Sequence, residues 1–280
     1  MHFYMIIWCA SYPKSGNTWI RAIIASLVYS EDGLFNFGML KKINLFPKRL
    51  YFKEFTNNYS DLKSISQHWI NAQQNINAEE KLKILKTHNG NYNFFGNDFT
   101  NKKNTAGVIY VVRDPRNVIT SVANHYQLNL EKSLDFLLDE KRFLFNTNNP
   151  NDSSEENIIT LLGSWKSHYN SWKISSNSII IKYENLLINT KSEINKLSTF
   201  LKKFTKFNVS DQKIQNILKT TSFEKLKKME EKEGFEEASN STIKFFNLGP
   251  SNDWKNVLSK NLIDSIEKNF NKEMKELGYI

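Results

Sequence analysis

A short loop after the first predicted strand combines residue types that bind phosphate. The loop and the start of the following helix read Ser11-Tyr12-Pro13-Lys14-Ser15-Gly16-Asn17-Thr18-Trp19. Backbone N–H groups and the positive end of a helix macrodipole hold anions, and Lys14 adds a mobile point charge. The loop differs from the ATP-binding pattern G-x-x-x-x-G-K-[ST], because Lys14 precedes Gly16 and no earlier glycine is present. We predict an anion cradle, with a polar turn that caps a helix as the alternative.

A second candidate anion site follows another predicted strand. Arg113 is the first polar residue after that strand, and Ser121 lies on the next helix. An ATPase normally has an acidic magnesium ligand at such a strand end, whereas a guanidinium fork suits a terminal phosphate monoester. Arg113 and Arg116 are two of only five arginines in the chain. We interpret Arg113 and Ser121 as phosphate ligands; a surface arginine is the alternative, and Arg116 could instead pair with Asp114.

One histidine lies where a general base would be useful. His88 follows a predicted strand at residues 83–85, near Lys86 and between the two anion motifs in the sequence. Imidazole has an ordinary pKa near neutrality, which suits proton abstraction. A lone histidine is more often structural than catalytic. We nevertheless predict a catalytic role for His88, because of its position after a strand and between the two motifs.

The elements that must position these residues alternate between strands and helices. Short apolar or β-branched runs predict strands at 5–11, 83–85, 108–112 and 178–182. Apolar spacing predicts helices at 18–29 and 261–277, and Asp114-Pro115 is a typical helix start. Such alternation indicates parallel βαβ units, in which ligands bind beyond the carboxyl ends of the strands. We predict an α/β fold with a central parallel sheet flanked by helices, in a single domain over residues 1–280.

Three stretches interrupt this alternation. Residues 146–157 and 230–242 are polar, and we predict that both are mobile loops. Residues 31–82 are rich in aromatic side chains, including Phe46 and Phe52. We interpret residues 31–82 as a helical insertion on the acceptor side. Its aromatic side chains would line a small-molecule pocket or pack a helical subdomain.

Composition sets further limits on the class of protein. The 280 residues are 40% hydrophobic, which suits one large α/β domain. No apolar run reaches the roughly 18 residues of a transmembrane helix, and the opening residues lack the features of a signal peptide. The single cysteine, Cys9, excludes an internal disulfide and a cysteine-based zinc cluster. The net charge of +9 favours anionic partners. We expect a soluble, cytoplasmic protein that needs no metal.

The first loop resembles the P-K-S-G-T-T-W loop of the PAPS-dependent sulfotransferases of the cytosolic type, with Asn17 in place of one threonine. PAPS, 3′-phosphoadenosine 5′-phosphosulfate, is the activated sulfate donor of that family. The resemblance implies a P-loop-like nucleotide-binding fold. It implies that Lys14 contacts the bridging oxygen and that Trp19 stacks on adenine; a core aromatic is the alternative for Trp19. The loop of that family grips the 5′-phosphosulfate, and the residues that would carry these roles here are Lys14, Ser15, Gly16, Asn17, Thr18 and Trp19.

Three further segments resemble nucleotide-binding parts of the same family. Arg113 and Ser121 match the pair that holds the 3′-phosphate. Tyr183 lies in a segment like the family's strand-end Tyr-Glu, whose tyrosine contacts the nucleotide. Thr221 and Phe223 lie in a T-S-F segment, which implies that Thr221 binds the adenine side and that Phe223 stacks on the base. A half-buried tyrosine and a loop phenylalanine are the alternatives.

The segment Lys86-Thr87-His88 resembles the family's K-T-H segment. The resemblance implies that His88 removes the proton of the acceptor hydroxyl and that Lys86 supports the transferring group. It also implies that Lys14 stabilises charge on the leaving phosphate. The implied acceptor is a small molecule with a hydroxyl or an amine, with neither nucleic acid nor membrane as a partner. The resemblance selects neither the acceptor nor an oligomeric state.

The carboxyl-terminal match is partial. The segment from Gly249 to Lys255 resembles the family's R-K-G-x-x-G-D-W-K region, but Asn247-Leu248 replaces the Arg-Lys pair and Asn252 replaces the second glycine. Each lost charge-assisted contact would weaken donor binding by roughly 1.5–3 kcal/mol. Lys244 is a candidate substitute, and the backbone N–H of Gly249 remains as a ligand.

We therefore predict a sulfotransferase that moves the sulfuryl group from PAPS to an unidentified small molecule. Three alternatives stay open at this stage. The first is a P-loop kinase or NTPase that uses ATP, which the order of Lys14 and Gly16 disfavours. The second is a non-enzymatic nucleic-acid-binding protein, suggested by the charge of +9. The third is a degenerate sulfotransferase that binds nucleotide without turnover, suggested by Asn247-Leu248.

Overall fold

A computed structural model describes residues 5–145, 154–173, 177–235, 237 and 244–280. These residues form two compact units that alternate along the chain. The first unit comprises Met1–Tyr12, Ile43–Val111 and Asp139–Ile180, and the second comprises Pro13–Lys42, Val112–Leu138 and Ile181–Ile280. The interpretation of residues 1–280 as one domain stays a prediction.

Most residues of a four-stranded sheet lie in the first unit. In spatial order its strands are β2 (Lys83–Thr87), β1 (Ile6–Ser11), β5 (Thr105–Val112) and β8 (Ser178–Lys182). Strand β1 pairs in parallel with both β2 and β5. All six residues of β1 are buried, as expected for an apolar run that is covered on both faces. The predicted α/β fold class with a central parallel sheet is confirmed.

Short elements and aromatic packing complete the first unit. They are α2 (Leu62–Ser66), α3 (Trp69–Asn77), β3 (Asn93–Phe94), β4 (Asn97–Asp98), β6 (Phe143–Leu144), β7 (Thr160–Leu161), α6 (Trp165–Lys173) and a 3₁₀ turn at Arg49–Tyr51. The rings of Phe46 and Phe99 lie 5.4 and 5.3 Å from that of Trp8. Phe46 and Phe52 have no exposed surface. They are therefore core residues, and a pocket lined by the aromatic side chains of residues 31–82 stays a prediction. Residues 31–82 are helical only in short pieces.

The second unit is helical. Its helices are α1 (Asn17–Tyr29), α4 (Pro115–Tyr126), α5 (Leu130–Leu138), α7 (Tyr183–Leu201), α8 (Asp211–Thr220), α9 (Phe223–Glu233), α10 (Lys260–Asn269) and α11 (Asn271–Glu276). Three 3₁₀ turns, Phe37–Lys42, Gly249–Ser251 and Trp254–Asn256, join them. The predicted start of α4 is confirmed, because the Asp114 side chain accepts from the backbone N–H of Arg116 and Pro115 fills the first turn.

Two sequence predictions in the second unit are wrong. The last helix is interrupted at Phe270, whose backbone caps α10 instead of continuing it. The predicted loop at 230–242 begins as helix, because α9 runs to Glu233. Residues 236 and 238–242 of that loop, and residues 146–153 of the other, lie outside the described residues. Within the described ranges, no helix is both long and apolar enough to cross a membrane.

Candidate active site

The first anion motif forms a tight turn at the amino end of α1. Lys14 and Gly16 have left-handed backbones, with φ of 65° and 99°. Gly16 is the N-cap of α1 and provides no side-chain cap, so an anion is the natural complement of this helix end. Ser15 is fully buried, and its Oγ has no hydrogen-bond partner among the described residues. A buried hydroxyl of this kind fits a ligand that carries oxygen acceptors.

Two aromatic rings lie against this turn. A Cβ added to Gly16 would lie 2.5 Å from Cδ2 of Tyr183, so only glycine fits the space beside that ring. The rings of Trp19 and Tyr183 meet edge to face at 5.6 Å. Trp19 is 7% exposed and its Nε1 has no partner among the residues that the structure describes. The structure thus brings together three residues that the sequence assigned to the donor site.

We expect Gly16→Ala to destabilise the protein more than Gly96→Ala does. Both glycines have positive φ, 99° and 83°, but only Gly16 has a neighbour within the reach of an added Cβ. Both variants therefore carry backbone strain, whereas only the first forces the ring of Tyr183 to move. The additional loss in free energy of unfolding should be at least about 1 kcal/mol in urea titrations. Equal losses in the two variants would show that the contact with Tyr183 is unimportant.

Arg113 lies at the centre of the second anion motif. It is 6% exposed, and its Nη1 donates to the backbone oxygen of Lys14 at 3.2 Å and to Oγ of Ser121 at 3.1 Å. Its guanidinium lies 4.2 Å from the ring centroid of Tyr183. Its Nε has no hydrogen-bond partner in the described part of the chain. Burial lowers the pKa of Arg113. A buried guanidinium with a donor to spare is suited to an anion.

The amide of Asn252 joins Arg113 at Ser121. Asn252 is 7% exposed, and its Nδ2 donates to Oγ of Ser121 at 3.2 Å and to the backbone oxygen of Asn117 at 3.0 Å. Its Oδ1 accepts from Oγ1 of Thr120 at 2.8 Å. In the sequence, Asn252 is only a departure from a glycine. Its contact with Ser121 joins residues 131 positions apart, which no local pattern predicts.

The remaining donor-site residues form a second group around Phe223. A Cβ on Gly249, whose φ is 52°, would overlap the Phe223 ring, so these two predicted ligands are in contact. Aromatic contacts then lead from Phe223 to Phe246, and from Phe246 to Phe245. Nζ of Lys14 lies 4.2 Å from the ring centroid of Phe245. Two aromatic residues that the sequence analysis did not select therefore connect the two groups.

One predicted ligand in this region already makes a local hydrogen bond. Thr221 is fully buried at the C-cap of α8, and its Oγ1 donates to the backbone oxygen of Ile217 at 2.8 Å. Its hydroxyl hydrogen is thus directed to the protein. A contact between Thr221 and the adenine side of a nucleotide stays a prediction.

A carboxylate that the sequence analysis did not consider lies at the start of α1. Glu237 accepts from Oγ1 of Thr18 at 3.4 Å and from Nη1 of Arg21 at 2.5 Å. The carboxylate therefore forms an ion pair with the guanidinium of Arg21. Lys244, the candidate substitute for the missing cations, pairs instead with Glu231 at 3.0 Å, and both side chains are exposed.

In the first unit, His88 lies directly after β2 and is held by the end of β1. Its Nδ1 lies 2.8 Å from the backbone oxygen of Ser11. A carbonyl oxygen can only accept, so Nδ1 carries the hydrogen in the neutral ring. Nε2 is then the unprotonated nitrogen, which is the form that a general base requires.

A second histidine fixes the backbone of the first. Nε2 of His168 lies 3.2 Å from the backbone oxygen of His88, and its Nδ1 lies 2.9 Å from the hydroxyl of Tyr110. His168 therefore donates through Nε2 and accepts through Nδ1 as a neutral ring. Burial lowers the pKa of His168 to about 3. His168 is fully buried and structural, whereas His88 is half-buried.

We expect His168 to make the protein less stable in weak acid. Between its ordinary pKa of 6.5 and its folded pKa of about 3, the unfolded chain binds a proton that the folded chain excludes. The free energy of unfolding therefore falls as the pH falls, by about 1.4 kcal/mol between pH 7.5 and 5.5. In urea titrations at the two pH values, His168→Gln should lose this pH-dependent fall in the free energy of unfolding. The control His68→Gln should keep it. An unchanged pH dependence in His168→Gln would contradict the assignment.

The predicted site residues divide between the two units. All predicted donor ligands belong to the second unit, whereas Lys86 and His88 belong to the first. Lys86 is half-buried on β2, where its backbone N–H donates to the oxygen of Asn44. The catalytic roles of Lys14, Lys86 and His88 stay predictions. Among the described residues, no three histidine, cysteine, aspartate or glutamate side chains are grouped as metal ligands would be.

Comparison with known proteins identifies the family of this chain. The family model for the sulfotransferase domain matches residues 6–278. Sulfotransferase 1 family member D1 of Mus musculus is 25% identical over 285 aligned positions, which cover 95% of this chain and 82% of that protein. Flavonol 3-sulfotransferase of Flaveria bidentis is 23% identical, with coverage of 98% and 83%.

Solved structures show the same fold. Mouse sulfotransferase SULT7A1 complexed with PAP superposes with a TM-score of 0.60 at 20% identity, over 98% of this chain and 85% of that one. Retinol dehydratase in a complex with retinol and PAP superposes with a TM-score of 0.59 at 17% identity, over 98% and 82%. The chain therefore belongs to the sulfotransferase domain family, which confirms the predicted enzyme class, a PAPS-dependent sulfotransferase.

Proposed function

We propose that this protein transfers the sulfuryl group of PAPS to a hydroxyl or amine of a small molecule. When bound, PAPS supplies an activated sulfuryl group and a phosphate leaving group. The donor would lie on the Lys14–Trp19 turn, with its 3′-phosphate at Arg113 and Ser121. The two related structures carry PAP, the product that such a reaction leaves behind.

The state of Arg113 carries this proposal. The guanidinium of Arg113 is 6% exposed, its hydrogen-bond partners are neutral and its Nε is unpartnered among the described residues. Glu184 and Asp114 compensate part of its charge from nearby, and an anion at Nε would supply the hydrogen-bond acceptor that these carboxylates do not. A phosphate monoester provides two negative charges and several acceptor oxygens in a geometry that a guanidinium fork matches. The neighbouring unpartnered Oγ of Ser15 points to a second acceptor-rich group.

Each proposed catalytic residue has a defined task. His88 removes the acceptor proton at Nε2, because Nδ1 is held by the oxygen of Ser11. Lys14 stabilises the negative charge that develops on the leaving phosphate, and Lys86 supports the transferring group. In the reaction, the acceptor oxygen or nitrogen forms a bond to sulfur and the bond from sulfur to the phosphate oxygen breaks. Most of the rate enhancement would come from positioning and fixed charge.

A transfer assay tests the proposed function. Purified protein is incubated with ³⁵S-labelled PAPS and a panel of simple phenols, aliphatic alcohols and amines, and labelled products are separated. We expect labelled product from at least one acceptor class, and none from ATP labelled at its γ-phosphate. Transfer from ATP would favour the kinase alternative. Tight PAP binding without any transfer would favour the degenerate sulfotransferase. A cytoplasmic location stays a prediction from the sequence.

A further inference from the structure

We propose that Asn252 is a positioning residue that makes Ser121 a hydrogen-bond donor to the 3′-phosphate of the nucleotide. This inference rests on the proposed function and assigns a role to a residue that stands where the family pattern has glycine. Asn252 and Ser121 are 131 positions apart in the chain, and their side chains meet at 3.2 Å.

The orientation of the Asn252 amide is set by its surroundings. The backbone oxygen of Asn117 can only accept, and it lies 3.0 Å from Nδ2 of Asn252. A flipped amide would place two carbonyl oxygens against each other there. On its other side, Oδ1 lies 2.8 Å from the hydroxyl of Thr120, whose one hydrogen is shared between this oxygen and the backbone oxygen of Asn117 at 2.9 Å. Both hydrogens of the amide are therefore committed, one to Asn117 and the other to Ser121.

Ser121 consequently accepts two hydrogen bonds at once. Nη1 of Arg113 donates to its Oγ at 3.1 Å, and Nδ2 of Asn252 donates at 3.2 Å. A serine hydroxyl has two acceptor lone pairs and one hydrogen. With both lone pairs engaged, the hydroxyl can add only a donated hydrogen bond. A phosphate oxygen, which is purely an acceptor, is the matching ligand group.

The segment that carries Asn252 is anchored firmly enough to fix this geometry. The backbone N–H of Trp254 donates to Oδ1 of Asn117 at 3.0 Å. The guanidinium of Arg116 lies 4.1 Å from the ring centroid of Trp254, and Arg116 is itself held by Asp114 at 2.7 Å. Arg116 and Asn117 both belong to the first turn of α4. The hydrogen bonds of Asn252 and the contacts of Trp254 therefore hold the Asn252 amide against α4, the helix that carries Ser121.

This arrangement also explains how a chain without the Arg-Lys pair would select a 3′-phosphate. Residues 247–252 contain no cation. The segment contributes a neutral amide that fixes the direction of a donor already next to Arg113. Preference for a 3′-phosphate would then come from the buried charge of Arg113 and the oriented hydroxyl of Ser121. In the family pattern it would come from three charges, those of the arginine and of the Arg-Lys pair.

The test is a double-mutant cycle measured by calorimetric titration with PAP and with AMP, which lacks the 3′-phosphate. Asn252→Ala should weaken PAP binding about 5- to 10-fold and change AMP binding less than about twofold. In a Ser121→Ala background the same substitution should change PAP binding less than about twofold, because the group through which it acts is gone. Asn256→Ala, an exposed asparagine of the same segment, is the matched control and should change neither affinity.

A second variant keeps the shape of the side chain. Asn252→Asp replaces the amide that donates to Ser121 by a carboxylate, which would accept a hydrogen bond from the Ser121 hydroxyl and repel the phosphate. PAP binding should therefore fall further than in Asn252→Ala. Three results would overturn the inference: equal losses for PAP and AMP, a loss that persists in the Ser121→Ala background, or unchanged PAP binding in both variants. A wild-type protein that binds PAP and AMP equally would instead overturn the proposed function itself.

Discussion

Replacing His88 by alanine should abolish sulfuryl transfer while leaving PAP binding within about threefold of the wild type. General-base catalysis contributes roughly 10²- to 10⁴-fold to a rate, and no other group takes the proton in the proposed reaction. His88 is not one of the predicted donor ligands, so its removal should leave donor binding nearly unchanged. The measurements are transfer of ³⁵S from labelled PAPS and calorimetric titration with PAP.

Two further variants make this result specific. His88→Asn keeps a side-chain N–H that can reach the oxygen of Ser11 but has no basic nitrogen, so it should fold normally and be as inactive as His88→Ala. His68→Ala removes a histidine that stacks on Phe55, 5.2 Å away in the same unit, and should keep full activity. If His88→Ala retained more than a tenth of the wild-type rate, the base would have to be another residue. Loss of PAP binding as well would indicate a role in folding.

Arg113→Ala should weaken PAP binding roughly 10- to 100-fold and AMP binding by no more than about threefold. The substitution removes the buried positive charge and the hydrogen bond from Arg113 to Ser121. Only PAP carries the 3′-phosphate that would contact Arg113 and Ser121, so only PAP binding should fall strongly. Arg113→Lys keeps the charge but loses the planar fork, so it should recover only part of the PAP affinity. Both affinities are measured by titration calorimetry.

The control for this prediction is Arg142→Ala. Arg142 lies in the first unit with about a third of its side chain exposed, and its removal changes the net charge by the same amount. It should leave both affinities unchanged, because Arg142 pairs with Asp139 and is not one of the predicted donor ligands. Parallel losses of PAP and AMP binding in Arg113→Ala would mean that Arg113 supports the fold of the site and does not select the 3′-phosphate.

Sequence reasoning worked where the determinants are local. The apolar run at β1, the strand Ser178–Lys182 and the Asp114-Pro115 helix start each depend on residues within one element. The contacts of Arg113 with Ser121 and of Gly16 with Tyr183 agree with the motifs that suggested them. That these residues bind an anion stays a prediction.

The features that the sequence did not predict are long-range. The hydroxyl of Thr18 meets the carboxylate of Glu237 across 219 positions, and no periodicity or motif connects the two residues. The carboxylate of Glu230 accepts from the backbone N–H groups of Phe245 and Phe246, which places their rings beside Lys14 and Phe223. A polar composition around residue 230 suggested a loop, because composition does not show which carboxylate has a backbone partner.

Calorimetric titration of the purified protein with PAP, and with AMP as the matched ligand, tests the central claim most directly. We predict micromolar PAP binding and a preference over AMP of at least about tenfold, because the guanidinium of Arg113 and the hydroxyl of Ser121 would both bind the 3′-phosphate. Equal binding of the two nucleotides, or no binding of PAP, would contradict the assignment of Arg113 and Ser121 and with it the proposed use of PAPS.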